Sequence, residues 1–295
     1  MSTMLFHFLL AYDYSLIPQE VSAQSHCFFG APEVMDEHNN GNMVNSCFVN
    51  MGSSYLVIDS GPTYSYALQA YEKMKKIKNL PIAYVINTHV HDDHWLGNSY
   101  YDSIGVKIIG SSAFDGMQKE EKTRMQMRVT ADAYSKTTQV FPTIFVEDEK
   151  IFKVDDTALH VKSINQKAHT DSDLLVYIPE YSTLFAGDLV FNNRLPSIRD
   201  GNIGQWLEAL DEIRAMKMRY VIGGHGEIVD ASSIDMTYEY LLELKTKVSQ
   251  MIEDGEGIAE TVNAVKMSKY KNVNFYKEMH RQNVEIAYRM LEWSE

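Results

Sequence analysis

Short apolar runs alternate with amphipathic stretches along most of the chain. Residues 56–59 (Leu-Val-Ile-Asp), 81–87 (Pro-Ile-Ala-Tyr-Val-Ile-Asn) and 106–110 (Val-Lys-Ile-Ile-Gly) are rich in β-branched side chains and too short for stable helices, so each predicts a buried strand. The first ends at Ser60-Gly61-Pro62. Residues 63–78 place Ala67, Ala70, Tyr71, Met74 and Ile77 on one stripe, which predicts a helix with one face inward. Residues 114–138 are polar and rich in methionine and read as helical. Met117, Met125 and Met127 suit filler against the core or the lining of a substrate entrance, filler being methionine's more frequent use. Residues 151–161 read as a strand pair turning at Asp155-Asp156, and residues 174–178 as a further strand. Residues 202–217 form a helix with Trp206, Leu207, Leu210 and Ile213 inward. Beyond Asp230 the pattern is helical to the end, in stretches at about 234–254, 257–267 and 275–293.

Composition narrows the class. A chain of 295 residues with 45% hydrophobic residues can bury a large core, as one α/β domain or two. It has no Pro/Gly/Ser-rich linker, internal repeat or low-complexity block. A net charge of −13 argues against nucleic-acid binding, which needs a basic face to displace counterions. No apolar run is long enough to span a membrane. Residues 4–11 (Met-Leu-Phe-His-Phe-Leu-Leu-Ala) end in a small residue before the polar Tyr12-Asp13-Tyr14, the form of a secretory signal cleaved after Ala11. No Lys or Arg precedes the run and it is short, so an apolar first strand or a disordered tail is the competing account. Export predicts a periplasmic protein; otherwise it is cytoplasmic. Cys27 and Cys47 lie in two strand-like segments joined by residues 30–44. An antiparallel pairing would bring their sulfurs close enough for a disulfide; two buried thiols are the alternative.

The chemistry concentrates in Thr88-His89-Val90-His91-Asp92-Asp93-His94. His89 and His91, two apart in an extended segment, point the same way just past a strand's end, and Asp93 and His94 follow as the chain turns. Three histidines and a carboxylate at H-x-H-x-D-H spacing form a metal-ligand set, suited to zinc and acceptable to iron or manganese. Three more candidates follow: His169 in Ala168-His169-Thr170-Asp171, Asp188 in Phe185-Ala186-Gly187-Asp188-Leu189, and His225 in Gly223-Gly224-His225-Gly226.

Together these motifs resemble the metallo-β-lactamase superfamily from about residue 46 onward. The resemblance implies a four-layer αβ/βα sandwich with extra C-terminal helices, residues 12–295 forming one domain whose helical tail starts near 234. It assigns His89, His91 and His169 to one metal, Asp93, His94 and His225 to a second, and Asp188 as the bridge. Two zinc ions per chain are expected. Aspartate at the bridging position is usual in thioesterase, lactonase and phosphodiesterase members, whereas lactamases commonly place Cys or Ser there. The flanks, Leu184 through Phe191, Arg194-Leu195-Pro196, Gly204-Gln205-Trp206-Leu207 and Arg281-Gln282-Asn283-Val284, are similar to exported bacterial zinc metallohydrolases that accompany sulfur-oxidation and quinoprotein systems.

The expected chemistry is attack by a hydroxide formed from a water shared by two zinc ions, on a small ester, thioester, lactone or lactam, with Asp93 orienting the nucleophile and taking its proton. Loops 30–44 and 192–200 should flank the metals. Asn193 and Arg194 are candidates for holding an anionic substrate, with a structural ion pair as the alternative for Arg194. The C-terminal helices cap the core, form a homodimer face or shape the pocket; they lack the basic glutathione-binding pattern expected of a glyoxalase II. The competing activity is a mononuclear iron enzyme that oxidises persulfides.

Overall fold

A computed structural model describes residues 12–293. The candidate signal at residues 4–11 lies outside the described residues. Seven strands form one mixed sheet in chain order: β1 (Gln19–Glu20), β2 (Ser25–Phe28), β3 (Ser46–Asn50), β4 (Tyr55–Ile58), β5 (Ile82–Ile86), β6 (Lys107–Ser111) and β7 (Ile144–Val146). Five more form a second sheet: β8 (Glu149–Val154), β9 (Thr157–Ser163), β10 (Leu174–Ile178), β11 (Thr183–Phe191) and β12 (Tyr220–His225), stacked in reverse order from β12 to β8. The helices are α1 (Tyr64–Ile77), α2 (Asp92–Trp95), α3 (Asn98–Ser103), α4 (Ala131–Tyr134), α5 (Ile203–Ala215), α6 (Asp235–Glu253), α7 (Ile258–Ala264) and α8 (Tyr276–Leu291).

Strand periodicity builds the layers. Along β3 and β4, Cys47, Val49, Leu56 and Ile58 face the second sheet, where they meet Leu159, Val161, Val176, Phe185 and Ile222. The alternate residues Phe48, Tyr55 and Val57 face outward onto Tyr66, Ala67, Ala70 and Met74 of α1. The second sheet's outer face, with Leu175, Leu184 and Val221, packs on Trp206, Leu210, Leu241, Leu244 and Val284 of α5, α6 and α8. The result is an α/β four-layer sandwich with apolar contact at every layer boundary. Thr63 caps α1 by accepting from the Tyr66 N–H, and Asn202 caps α5 by accepting from Gly204 and Gln205. Among the described residues, no helix is long and apolar enough to cross a membrane.

Three features position the site. β4 to β7 run parallel, as do β11 and β12, so the ends of β5, β11 and β12 meet at one edge of the sandwich. There the sheets are tied directly: the Leu174 N–H donates to the Thr88 carbonyl, and the Asn45 side chain donates to the Gly223 and Gly226 carbonyls. Cys27 and Cys47 stand opposite each other in the β2–β3 pair and are joined by a disulfide. It closes the base of loop 30–44, which reaches over the same edge.

Two sequence expectations need correction. Residues 114–138 are mostly irregular, with helix only at α4. Side chains elsewhere take the backbone donors a helix would use: Met125 N–H goes to Asp92 and Thr130 N–H to Asn40. Ile77, expected on the buried stripe of α1, is 49% exposed in that helix's last turn. Met125 is fully buried and Met127 exposed, so the methionines of this segment divide between core and surface.

The disulfide spans 20 positions of sequence, and closing a loop of that size contributes about 3 kcal/mol through the unfolded chain. The Cys27→Ala/Cys47→Ala protein is expected to lose stability of that order in denaturant titration. An unchanged midpoint would show that the disulfide contributes no stability.

Candidate metal centre

His89, His91, Asp93 and His94 follow β5. His91 occupies the N-cap position of the short α2, and Asp93 and His94 are the second and third residues of that turn. His169 precedes β10, Asp188 lies within β11 and His225 ends β12. All seven come together, and all are buried except His91, which is partly exposed. They fall into two groups, one of His89, His91, His169 and Asp188 and one of Asp93, His94 and His225, with donor atoms in each group within 4.8 Å of one another. In the first, His91 Nδ1 lies 3.1 Å from both His89 Nε2 and His169 Nε2. Asp188 stands between the groups. Its Oδ2 is 3.6 Å from His89, 3.4 Å from His169 and 3.3 Å from His225, and its Oδ1 is 3.2 Å from His94. Asp93 Oδ2 faces His94 and His225 at 3.9 and 4.0 Å.

Most rings are oriented from behind. His89 Nδ1 meets the Thr88 hydroxyl at 3.0 Å, His91 Nε2 meets Asp200 at 3.0 Å, and His94 Nδ1 meets Asp59 at 2.8 Å. His225 Nδ1 donates to the Met43 carbonyl. Each such contact fixes which nitrogen faces the centre, as metal-ligating imidazoles require. Asp59 is itself held by the Thr88 N–H and hydroxyl, both at 2.8 Å. Arg124 donates to Asp93 Oδ1 at 2.6 Å and to Asp92 at 2.7 Å, which leaves Asp93 Oδ2 to face the centre.

The donor set fits divalent cations. His94 Nε2 and Asp188 Oδ1 are buried and form no hydrogen bond, despite their proximity, and a cation between them satisfies both. Burial, with its cationic neighbours, holds His89 well below the usual imidazole range, and burial brings His169 to about 3; both are neutral at neutral pH, the form that binds a metal. Burial also lowers His225. Burial alone would lower His94 too, but Asp188, Asp59 and Asp93 outweigh it and hold that ring well above its ordinary value. Burial pushes Asp188 and Asp93 upward; the surrounding imidazoles, and Arg124 for Asp93, reverse this and keep both ionised. Nitrogen and carboxylate oxygen are donors zinc accepts.

A cleft of about 120 Å³ leads to the centre. Met35, Met43, Arg124, Arg128, Arg194, Arg199, Phe275 and Met279 line it. Loops 30–44 and 192–200 therefore both flank the centre. Asn193 does not line this cleft; it faces an adjoining surface groove. Arg194 makes no ion pair within 4 Å among the described residues, so the structural pairing considered for it is absent. Asp59, Arg124 and Met43 escaped sequence reasoning. Only Asp59, a carboxylate at the end of a buried strand, carried a usable signal.

The family model described as the metallo-β-lactamase superfamily matches residues 39–225, more than half of the chain. The chain belongs to the metallo-β-lactamase superfamily. Metallo-β-lactamase IND-1 of Chryseobacterium indologenes is 25% identical over 175 residues, covering 58% of this chain and 66% of that protein. A hydroxyacylglutathione hydrolase of Prochlorococcus marinus (strain NATL1A) is 28% identical over 161 residues, covering 53% of each. The chain thus spans about half to two thirds of the length of these curated relatives. Among solved structures, a metallo-β-lactamase from Pontibacter korlensis superposes with a TM-score of 0.60 at 20% identity, covering 77% of this chain and 99% of its own. Metallo-β-lactamase IND-7 does so at 0.61 and 20%, covering 78% and 100%. These likenesses carry the fold. α6, α7 and α8 lie beyond the family match.

Gly224 shows how tightly Asp188 is packed: a Cβ there would sit 2.0 Å from Asp188 Oδ1 and 3.0 Å from His94 Cε1. Gly224→Ala is expected to push Asp188 aside and weaken metal binding by about tenfold or more. Competitive chelator titration checks this. Unaltered zinc affinity would show that Asp188 is free to move.

Proposed function

We propose that this protein is a metal-dependent hydrolase working with two zinc ions on a small ester, thioester, lactone or lactam. The observation that carries the proposal is the convergence of seven donor side chains in two buried groups around Asp188. His89, His91 and His169 would hold one ion and Asp93, His94 and His225 the other, with Asp188 shared between the two groups. Iron or manganese can use the same donors. Zinc held there would supply an acidified water as nucleophile and a Lewis-acid contact for the electrophile's oxygen. Asp93 Oδ2 would orient the attacking water and accept its proton, while Arg124 keeps the carboxylate ionised and fixed in rotation. Met35, Met43, Phe275 and Met279 narrow the approach and exclude bulk water from the bond under attack. The cleft's small volume favours a small-molecule substrate.

Export to the periplasm, and affiliation with the sulfur-oxidation group of metallohydrolases, belong to the same proposal. The Cys27–Cys47 disulfide is consistent with an oxidising compartment. A chain beginning at Tyr12 would keep its anchorage: Gln69 donates to the Tyr12 carbonyl, and the Tyr14 hydroxyl bonds Thr63 at 2.9 Å and the Asn40 carbonyl at 3.0 Å. Residues 12–295 act as one domain, with the C-terminal helices as its cap.

Elemental analysis of zinc-saturated protein should give two metals per chain. Chelator should abolish turnover of an ester, thioester, lactone and lactam panel, and zinc should restore it. Asp188→Asn should lose metal and most activity, since an amide bridges two cations poorly. A single iron per chain, with oxygen consumed in the presence of a persulfide and no hydrolysis, would replace the hydrolase with a dioxygenase.

Mature protein from the native host should begin near Tyr12 by mass spectrometry. Abundant protein retaining Met1 would refute export.

A further inference from the structure

Four of the chain's eight arginines line the cleft that leads to the candidate metal centre, although the chain carries a net charge of −13. Two of them are committed. Arg124 is held by Asp92 and Asp93, and Arg199 by Asp200. Arg128 is exposed at the mouth. Arg194 differs from all three. It is 4% exposed, and its guanidinium is clamped between aromatic rings, 4.0 Å from the Phe275 centroid and 5.5 Å from that of Phe191.

This clamp fixes a plane but supplies no acceptor. Among the described residues, no carboxylate lies within 4 Å of Arg194, and its Nε is buried without a hydrogen-bond partner. Its Nη1 lies 3.2 Å from His225 Nδ1. That nitrogen already donates its proton to the Met43 carbonyl, because His225 turns Nε2 toward Asp188. Two donors therefore face each other, and neither Nε nor Nη1 has an acceptor among the described residues. A buried cation without an acceptor is costly, and a planar fork of N–H groups matches an oxyanion.

We propose that the site selects substrates bearing an oxyanion, a carboxylate or a phosphate, and that Arg194 receives it. The inference rests on the hydrolase assignment for the reaction itself, and adds the chemical class of the substrate. The oxyanion lies on the guanidinium beside His225, so that the bond to be cleaved reaches toward Asp93 and Asp188. Phe275 comes from the C-terminal segment beyond the family match at residues 39–225, so the clamp that orients Arg194 is completed by a part of the chain outside that match.

Two measurements test this, one of them independent of turnover. Acetate and inorganic phosphate are titrated calorimetrically into the full-length chain stripped of metal. Saturable binding of either supports the proposal and identifies the preferred oxyanion; binding of neither overturns it. Arg194→Met should weaken that binding by about ten- to hundredfold, the range of a charge-assisted hydrogen bond. Undiminished binding in this variant would overturn the assignment to Arg194. If Arg194→Met does not fold, by circular dichroism and thermal melting, Phe275→Leu keeps the apolar wall and removes the stacking; it should weaken binding in the same direction, and undiminished binding there would overturn the clamp. In zinc-loaded protein, the ratio of kcat/KM for monomethyl succinate over neutral dimethyl succinate should exceed about ten and fall toward one in the variant. Equal rates for both esters in the unaltered protein would overturn the selectivity. If neither ester is hydrolysed while zinc is bound, the hydrolase assignment fails for such esters, and the calorimetry still decides the oxyanion site.

Discussion

One carboxylate governs the arrangement of everything around it. Asp188 is buried, and the nitrogens of four imidazoles lie between 3.2 and 3.6 Å from its oxygens. A charge so far from water must be paired on every side. That requirement reaches into the backbone. Gly187 takes a left-handed φ of +52° beside Thr88, and Gly224 omits the side chain that would collide with the carboxylate. It also reaches outward, through Thr88, Asp59, Asp200 and the Met43 carbonyl, each of which steers one ring. The edge of the sandwich is thus a nested set of hydrogen bonds, and the sheets supply the rigidity to hold it.

The candidate ligands and the residues that support them were unequally legible in the sequence. His89, His91, Asp93 and His94 are close along the chain and follow a strand whose apolar run ends abruptly, so a local pattern revealed them. His169, Asp188 and His225 are individually ordinary and became visible only as a set with that motif. Arg124 had no such advantage. Its segment, polar and rich in methionine, read as helical, yet Asp92 and Asn40 capture its backbone donors from outside. Tertiary hydrogen bonds of this kind leave no trace in local periodicity. The paired strands carrying Cys27 and Cys47 were readable from their apolar character. Whether the sulfurs bond depended on register, which becomes visible only when the two positions stand opposite each other.

The charge distribution separates the cleft from the rest of the molecule. Acidic groups dominate the composition, but those at the centre are committed: Asp93 to Arg124, Asp200 to His91 and Arg199, Asp59 to Thr88 and His94. The surface repels polyanions such as nucleic acid over long range, while the cleft offers guanidinium groups at short range. Size and local geometry, rather than net charge, then decide which anions enter.

The donor groups also come from both sheets: His89, His91, Asp93 and His94 from the first, His169, Asp188 and His225 from the second. With ions bound as proposed, each is coordinated by side chains from opposite halves of the sandwich, and so acts as a rivet between them. A ligand that binds only the assembled form raises the free energy of unfolding by an amount set by its own free concentration. The persistence of this protein against unfolding and proteolysis would then track the zinc supply of its compartment. Scarcity would remove inactive molecules instead of leaving them to accumulate.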